Sequence, residues 1–243
     1  MAWGGEEKKM DDVQQEILSQ LPNAVDYLVG FADMHDLLKP HFNYRYAVVI
    51  GKKMDSEVMD GIESGPNIVY YKLYHSTNDE LNSIVKNMAG VFTRKGIQSQ
   101  TIPATVHDGD FGDDYSKTLR LKYSHKMAAT RSGLGWIGKT DLLISHQYGP
   151  RVRLASILTN YPFSETGVPI DESHCGTCQI CVEKCPAHAA NGKLWNVSID
   201  RNDFYDAFKC RSMCRELSMR NIQKEISLCG ICVSVCPIGK KVK

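Results

Sequence analysis

Nine cysteines constrain this chain more than any other feature, because all of them lie between residues 175 and 236. The first four are Cys175, Cys178, Cys181 and Cys185, spaced C-x2-C-x2-C-x3-C and followed by a proline. This spacing is typical of bacterial two-cluster proteins, in which three thiolates hold one iron–sulfur cubane and the fourth ligates the other. The run therefore predicts that this part of the chain folds around inorganic clusters.

A second run, Cys229-x2-Cys232-x3-Cys236, also ends in a proline and has the same spacing with one cysteine missing. The missing ligand must be Cys210 or Cys214, which share one face of a helix predicted over Arg201–Arg220, so spacing alone leaves both open. Our assignment uses crossed ligation and Cys210. It gives Cys175, Cys178, Cys181 and Cys236 to one [4Fe–4S] cluster, and Cys185, Cys210, Cys229 and Cys232 to the other.

Zinc and disulfides are the two other chemistries that use paired cysteines. Cys-x2-Cys pairs also hold tetrahedral zinc, but zinc sites do not require two Cys-Pro endings after three-residue gaps. Disulfides are expected in exported chains, whereas the start MAWGGEEKKMDD is charged and lacks the apolar region of a secretory signal. We therefore expect a cytoplasmic protein with no membrane contact, whose thiols are metal ligands.

The charge balance bears on possible partners. The chain has 243 residues, with 29 Lys plus Arg against 28 Asp plus Glu. A near-neutral chain is not expected to present a wide basic surface for a phosphate backbone. On this ground nucleic acid is not the favoured partner.

Hydrophobic periodicity predicts a mixed α+β fold. The apolar face Leu81–Phe92 indicates a long helix, which a capping box of Thr77 and Glu80 would start. Asp55–Asn67, with its glycines and proline, is predicted to be a mobile loop. Further helices are predicted over Lys9–Leu21 and Ser116–Arg131, and strands over Tyr46–Ile50, Asp141–Ser145 and Val152–Thr159. The predicted division is an α/β domain at residues 1–170 and a cysteine-rich domain at residues 171–243.

A glycine-rich stretch precedes the cysteines: Gly133, Leu134, Gly135, Trp136, Ile137, Gly138 and Lys139. Glycines allow backbone to approach a large flat or anionic ligand, while Trp136 offers an apolar plane and Lys139 a positive charge. In the alternative, Gly133 ends a helix and Trp136 is a core residue. Taken alone, the motif favours this alternative. Beside two clusters, and in the order of the family resemblance given next, we favour a cofactor-binding loop formed by all seven residues.

Four segments carry a resemblance to a known family: YAVVIG (46–51), YYKLYHSTNDELN (70–82), SGLGWIGKTDLLIS (132–145) and GPRVRLASILTNYPF (149–163). Together with the cysteine runs they resemble the cobalamin-dependent epoxyqueuosine reductases and, more distantly, the reductive dehalogenases. The resemblance implies a nitroreductase-like domain at residues 1–170 that holds cobalamin base-off. It further implies a ferredoxin-like domain at residues 171–243 whose two [4Fe–4S] clusters deliver electrons to cobalt.

The sequence departs from this family at two places. By ungapped alignment, Leu119 occupies the position of the family's catalytic aspartate, and the chain ends seven residues after Cys236, where the family continues into a helical-repeat domain that helps engage tRNA. With the neutral charge, this makes tRNA an unlikely partner. Candidate proton donors are instead Tyr123 and His125, because the pKa of histidine lies near neutral pH. Further candidates are Asp108, Asp110, Asp113 and Asp114, unless they form a solvated turn.

The function expected from the sequence is that of a corrinoid-dependent reductase. An external donor, which would be a ferredoxin, a flavodoxin or a reductase, would supply electrons to reduce a small-molecule substrate. The alternative is a non-catalytic electron carrier or a corrinoid-reactivating partner that docks a corrinoid protein, as the leucine at position 119 would favour. A flavin in the glycine-motif domain is a third possibility, since one fold can serve more than one cofactor. His188 is assigned equally to cluster shielding and to the surface.

Overall fold

The computed structural model describes residues 10–37, 43–105 and 114–240. Its α-helices are α1 (Asp12–Leu18), α2 (Ser56–Asp60), α3 (Ile68–Arg94), α4 (Tyr115–Thr118), α5 (His125–Arg131), α6 (Ile180–Glu183), α7 (Ala207–Ile222) and α8 (Ile231–Val235). Its strands are β1 (Tyr27–Asp33), β2 (Tyr46–Lys53), β3 (Ser99–Ile102), β4 (Gly135–Ile137), β5 (Leu143–Ser145) and β6 (Val152–Thr159). A single 3-10 turn covers Arg201–Asp203.

The central sheet has the strand order β1-β2-β6-β3, and each of its neighbouring pairs is antiparallel. Register pairs Val49 with Ser156 and Thr101 with Ile157. β4 and β5 form a separate antiparallel hairpin. An antiparallel sheet packed with helices confirms the predicted α+β class.

The long helix α3 covers one face of the sheet. Its residues Leu81, Val85, Met88 and Phe92 are almost fully buried and pack with Ile157 of β6. The apolar face was therefore predicted correctly, but the predicted start was wrong. Asn67 caps the helix by accepting a 2.8 Å bond from the Tyr70 N–H, and Thr77 lies buried in its interior.

The single helix predicted over Ser116–Arg131 is two short helices, α4 and α5. Leu119 adopts a left-handed conformation with φ of 49° and ends α4. Ser124 then caps α5 by accepting from the Met127 N–H at 3.4 Å. Residues 119–127 form part of the wall of a large cavity.

The segment Asp55–Asn67 is not the mobile loop that its glycines suggested. Asp55 caps α2, and Met59 and Ile62 are almost completely buried. They pack with Leu228 in a hydrophobic cluster that joins the sheet domain to the cysteine-rich part. The segment thus belongs to the interface between the two parts of the chain.

Arg151 forms hydrogen bonds across the same interface. Its guanidinium is 1% exposed and donates to the carbonyl of Ser56 at 3.2 Å, to Asp60 at 2.6 Å and to the carbonyl of Ser234 at 3.1 Å. Ser234 belongs to α8, so this one side chain joins the sheet domain to the last cysteine run. The boundary between residues 170 and 171 stays a prediction.

The remaining differences concern element ends and short strands. The predicted helix Lys9–Leu21 is α1, which begins after Asp11 because the Asp11 side chain and Gln14 form a capping box. The predicted strand Tyr46–Ile50 extends to Lys53, and the strand Val152–Thr159 has the predicted bounds. Strands β1, β3 and β4 were not predicted. In the described part of the chain, no helix has the length and apolar character needed to cross a membrane.

Candidate iron–sulfur sites and adjoining cavity

The first set of thiols comes from the loop before α6, from α6 itself and from the residue after α8. Burial first, and then three neighbouring thiols, raise the pKa of Cys236 to about 11. Those neighbours are Cys175, Cys178 and Cys181. The structure therefore brings together the four residues that crossed ligation assigns to one cluster, and exposed Cys178 puts this set at the surface.

The second set surrounds a cavity of about 250 Å3. Five cysteines line it: Cys185, Cys210, Cys214, Cys229 and Cys232. In the described residues no three metal-ligating side chains converge tightly enough for a single ion, so the fit is judged from the space that the thiols enclose. A cubane takes four thiolates, which leaves one of the five in surplus.

Our assignment makes the surplus thiol one of the two on α7, and this stays a prediction. The Sγ atoms of Cys210 and Cys214 lie 3.7 Å apart, and Cys214 also hydrogen-bonds Cys229. The hydrogen bond from Cys214, followed by one from Tyr205, lowers the pKa of Cys210 to about 7. Donating to two sulfurs raises the pKa of Cys214. The lowered pKa of Cys210 and the raised pKa of Cys214 favour Cys210 as the ligand, and this choice stays a prediction.

Hydrogen-bond donors reach sulfurs of both sets. The indole Nε1–H of Trp136 points to Cys175 Sγ at 3.4 Å. On the other side, the hydroxyl of Thr140 bonds Cys232 and that of Tyr205 bonds Cys210. Hydrogen bonds to cluster sulfurs are one of the means by which a protein sets cluster potentials.

The glycine motif packs against the first cysteine loop. A Cβ on Gly135 would lie 2.1 Å from the carbonyl oxygen of Ile144, and one on Gly138 would lie 2.9 Å from the Ile144 side chain and 3.6 Å from Cys175 Sγ. Lys139, 2% exposed, donates to two backbone carbonyls of that loop. The glycines thus permit close approach of protein to protein, which differs from the ligand-facing role that the sequence suggested.

The other residues of the motif also have protein neighbours. Gly133, with φ of 71°, follows α5, and Trp136 is a buried ring beside His146 and His174. Ile137 is buried in a hydrophobic cluster with Trp195, and Leu134 packs against the core beneath the sheet. Contact of the seven motif residues with a corrinoid therefore stays a prediction.

A cavity of about 630 Å3 adjoins the second cysteine set. Leu142, Pro150, Val152 and Arg153 border both this cavity and the one lined by cysteines. Much of its remaining wall is apolar, with side chains such as Leu154 and Trp195. A site for a second, larger group thus lies directly beside the second set of thiols.

Arg153, which the sequence analysis missed, stands in the wall between the two cavities. Its guanidinium donates to Asn78 Oδ1 at 2.8 Å and to the carbonyl of Ala104 at 3.0 Å, and lies 4.3 Å from the centre of the Tyr74 ring. The signal was present, because Arg153 places a charge near the start of a strand that is otherwise uncharged. Such a fixed cation is suited to an anionic neighbour.

Tyr123 and His125 both line the large cavity, as a pair of candidate proton donors should. His125 Nε2 lies 3.1 Å from the carbonyl of Pro103, which can only accept, so this nitrogen carries the proton and Nδ1 accepts from Ser156 Oγ at 2.8 Å. Burial lowers the pKa of His125 to about 4, and burial raises the pKa of Tyr123 above its usual range. Histidine is therefore neutral at pH 7, and the phenol keeps its proton.

The other candidate proton donors, Leu119 and the candidate cluster-shielding histidine lie in different parts of the chain. Asp108, Asp110 and Asp113 lie outside the described residues. Asp114 precedes α4 and makes no side-chain cap. Leu119 lines the large cavity. His188 is exposed, and its role in shielding a cluster stays a prediction.

The C-terminal part of the chain matches a known domain family. Residues 174–239 match the 4Fe-4S double cluster binding domain. This confirms the prediction of a double-cluster domain, and the matched range contains all nine cysteines.

Curated relatives extend the match beyond the cysteines. The epoxyqueuosine reductase of Synechocystis sp. is 35% identical over 117 residues, covering 48% of this chain and 39% of the relative. That of Lactococcus garvieae is 35% identical over 159 residues, covering 55% and 44%. The resemblance found in the sequence is thereby confirmed, and the chain spans about two fifths of the length of these relatives.

Solved structures share the fold over most of the chain. A reductive dehalogenase described as supporting a mechanism for B12-dependent dehalogenation has a TM-score of 0.64 and 21% identity, covering 88% of this chain and 30% of its own. An epoxyqueuosine reductase with an epoxyqueuosine-modified tRNA-Tyr stem loop has a TM-score of 0.55 and 18% identity, covering 94% and 64%.

The expectation that tRNA is an unlikely partner was wrong. It rested on the neutral charge and on the end of the sequence shortly after Cys236. The structure solved with a tRNA-Tyr stem loop shares its fold with 94% of this chain, and the curated relatives are epoxyqueuosine reductases. Neither overall charge nor the end of the sequence therefore excludes tRNA.

Proposed function

We propose that this chain is a corrinoid-dependent iron–sulfur reductase of the cytoplasm, supplied with electrons by an external donor. The observation that carries the proposal is the shared wall, in which Pro150, Val152 and Arg153 separate the cysteine-lined cavity from the large one. Relatives named epoxyqueuosine reductase and a fold neighbour described in terms of B12 support the choice of cofactor. The chain spans less than half of those relatives, so the proposed activity depends on the residues of the site itself.

The residues present fit both kinds of group. Two sets of thiols, one around a cavity of about 250 Å3, suit two cubanes, and a largely apolar cavity of about 630 Å3 is within the range of cofactor sites. When bound, the clusters would supply one-electron transfer and the corrinoid would supply reductive cobalt chemistry. Exposed Cys178 offers the external donor an approach to the first set, and the second set borders the large cavity.

Tyr123 is the proposed proton donor. Its phenol keeps its proton at neutral pH, and its oxygen bonds Ser156, which in turn bonds His125. We assign His125 a positioning role, because a neutral imidazole fixed at both nitrogens holds the serine in place and has no proton to spare at pH 7.

The substrate is proposed to be anionic, because cations outnumber carboxylates among the described lining residues. A small anion meets this requirement directly, and a tRNA stem loop meets it through the phosphates that flank the presented base, a candidate suggested by the neighbour solved with tRNA. The lining cations are Arg120, Lys122, Lys126, Arg153 and Arg201, and the lining carboxylate is Asp141.

The first test is the content of the protein purified without oxygen. About eight iron and eight sulfide per chain are expected for two cubanes. Added cobalamin should bind in a one-to-one ratio and show the absorption of a base-off corrinoid. Clusters without corrinoid uptake would replace the reductase by the non-catalytic electron carrier, which the leucine at position 119 favours. Zinc in place of iron and sulfide would overturn both.

The second test is turnover by the loaded protein. The two substrates to be tested are an epoxyqueuosine-containing stem loop and a small halogenated phenolic acid. Reduced flavodoxin serves as the electron donor. Tyr123→Phe should slow the reaction at least tenfold while cobalamin uptake is unchanged. Tyr148→Phe is the matched control, because that hydroxyl bonds the carbonyl of Val25 away from both cavities. Equal rates in the two variants would refute the role of Tyr123.

A further inference from the structure

Lys139 is a buried cation with no carboxylate partner in the described part of the chain. It is 2% exposed, and its Nζ donates to the carbonyls of Gly176 at 3.0 Å and Cys178 at 2.8 Å. The two other strongly buried cations differ, since Arg131 pairs with Asp171 and Arg151 pairs with Asp60. A buried charge is costly unless an opposite charge compensates it.

The anion that fits this position is the first cluster. Lys139 bonds the loop that carries Cys178, and its charge acts on the Cys181 thiol. Four thiolates outweigh the positive charge of an oxidised cubane core, so the complete site is anionic, and reduction adds one more negative charge. The ammonium therefore faces a group whose charge changes in each redox cycle.

Two further contacts hold the residues before Lys139 against the same sulfurs. Trp136 donates its indole N–H to Cys175 Sγ at 3.4 Å. A Cβ added to Gly138 would lie 3.6 Å from the same sulfur and 2.9 Å from the Ile144 side chain, so glycine permits this close approach. Thr140, which follows Lys139, contacts Cys232 of the second set. The turn from Trp136 to Thr140 thus separates the two sets and presents its one charge to the first.

We propose that Lys139 is the counter-charge of the first cluster and raises its reduction potential by stabilising the reduced state. In this step one electron arrives from an external donor, and no bond is formed or broken. Lys139 acts as a positioning residue. It bonds the loop that carries the cysteines, and its positive charge acts on the cluster electrostatically, without direct ligation. The inference rests on the clusters alone, so it survives if the corrinoid or the substrate proposed above is wrong.

The test is a redox titration of the cluster-loaded protein, followed by electron paramagnetic resonance. Lys139→Gln keeps a side-chain N–H donor and removes the charge, whereas Lys139→Arg keeps the charge. In the Gln variant, one of the two cluster waves should move to a more negative potential by about 59 mV. For a one-electron couple this is about a tenfold change in the equilibrium constant for reduction. The Arg variant and the control Lys86→Gln, an exposed lysine on α3, should leave both waves in place.

Each other outcome also decides the matter. Unchanged waves in a fully loaded Gln variant would overturn the proposal and leave Lys139 as a brace for the loop. Loss of cluster iron in both the Gln and the Arg variants would overturn it too, because the lysine stem and not the charge would then be required. Loss of iron in Gln alone, with Arg loaded, would support it. Thr140→Val should move the other wave, which identifies the cluster each wave belongs to.

Discussion

Replacing His125 by glutamine should remove a specific pH dependence from the stability of this protein. His125 is held neutral between Ser156 and the carbonyl of Pro103, and burial lowers its pKa from 6.5 to about 4. Glutamine keeps a donor and an acceptor but cannot take up a proton. The histidine protein should therefore lose stability in acid that the variant does not lose.

The sign and size follow from proton linkage. The unfolded chain binds a proton at this residue below pH 6.5, while the folded chain binds it only near pH 4, so stability is fully present above pH 6.5 and falls between these values. If the whole lowering of the His125 pKa from 6.5 to about 4 took effect, the loss of stability in acid would be about 3 kcal/mol. Since His125 borders a cavity that admits water, we expect about 1–2 kcal/mol at pH 5.

The assay is anaerobic urea unfolding of both proteins at pH 7.5 and pH 5.0. Comparing the two proteins at each pH cancels acid effects on the clusters, which both carry. The stability difference between them should change by the stated amount in favour of the variant at the lower pH. A constant difference would refute the reasoning, and so would an NMR titration in which the His125 ring takes up a proton near pH 6.5.

Three other predictions concern the metal sites and the core. Cys210→Ser should lose close to half of the iron, whereas Cys214→Ser should keep it, and equal losses measured by iron analysis would contradict the assignment of Cys210. Phe92→Ala, in the fully buried core, should lower the free energy of unfolding by about 3–5 kcal/mol, against less than about 0.5 for exposed Val168→Ala in the same urea assay. Arg151→Met should cost about 3 kcal/mol because it leaves buried carbonyls without a donor, and a cost below about 1 kcal/mol would show that the interface does not depend on it.

Local sequence patterns correctly predicted the elements whose buried residues all pack against a single partner surface. β6 has the predicted bounds because its apolar run is buried in the middle of one sheet. The apolar face of α3 from Leu81 to Phe92 was found because those residues all pack on that sheet. Where one partner surface decides the burial, the hydrophobic period is a sufficient guide.

The same helix shows why the pattern failed at its start. Its first turns place Tyr70 and Tyr74 against Met59 and Leu228 in a different hydrophobic cluster, while Ile68 and Val69 are exposed. The helix thus turns a second face to the cysteine-rich part of the chain, and no single period covers both. The capping box at Thr77 was a chance match inside a continuous helix.

Sequence alone determined the chemistry of the cysteines, because ligand loops are short and their spacing is itself the constraint. Tertiary structure decided what the neighbouring residues do. Lys139 lies 37 positions before Gly176, and His125 lies 31 positions before Ser156, so no local pattern fixes either pair. Packing of the hairpin, the sheet and the cysteine loops set these distances, and with them the burial that makes one side chain a buried cation and the other a neutral base.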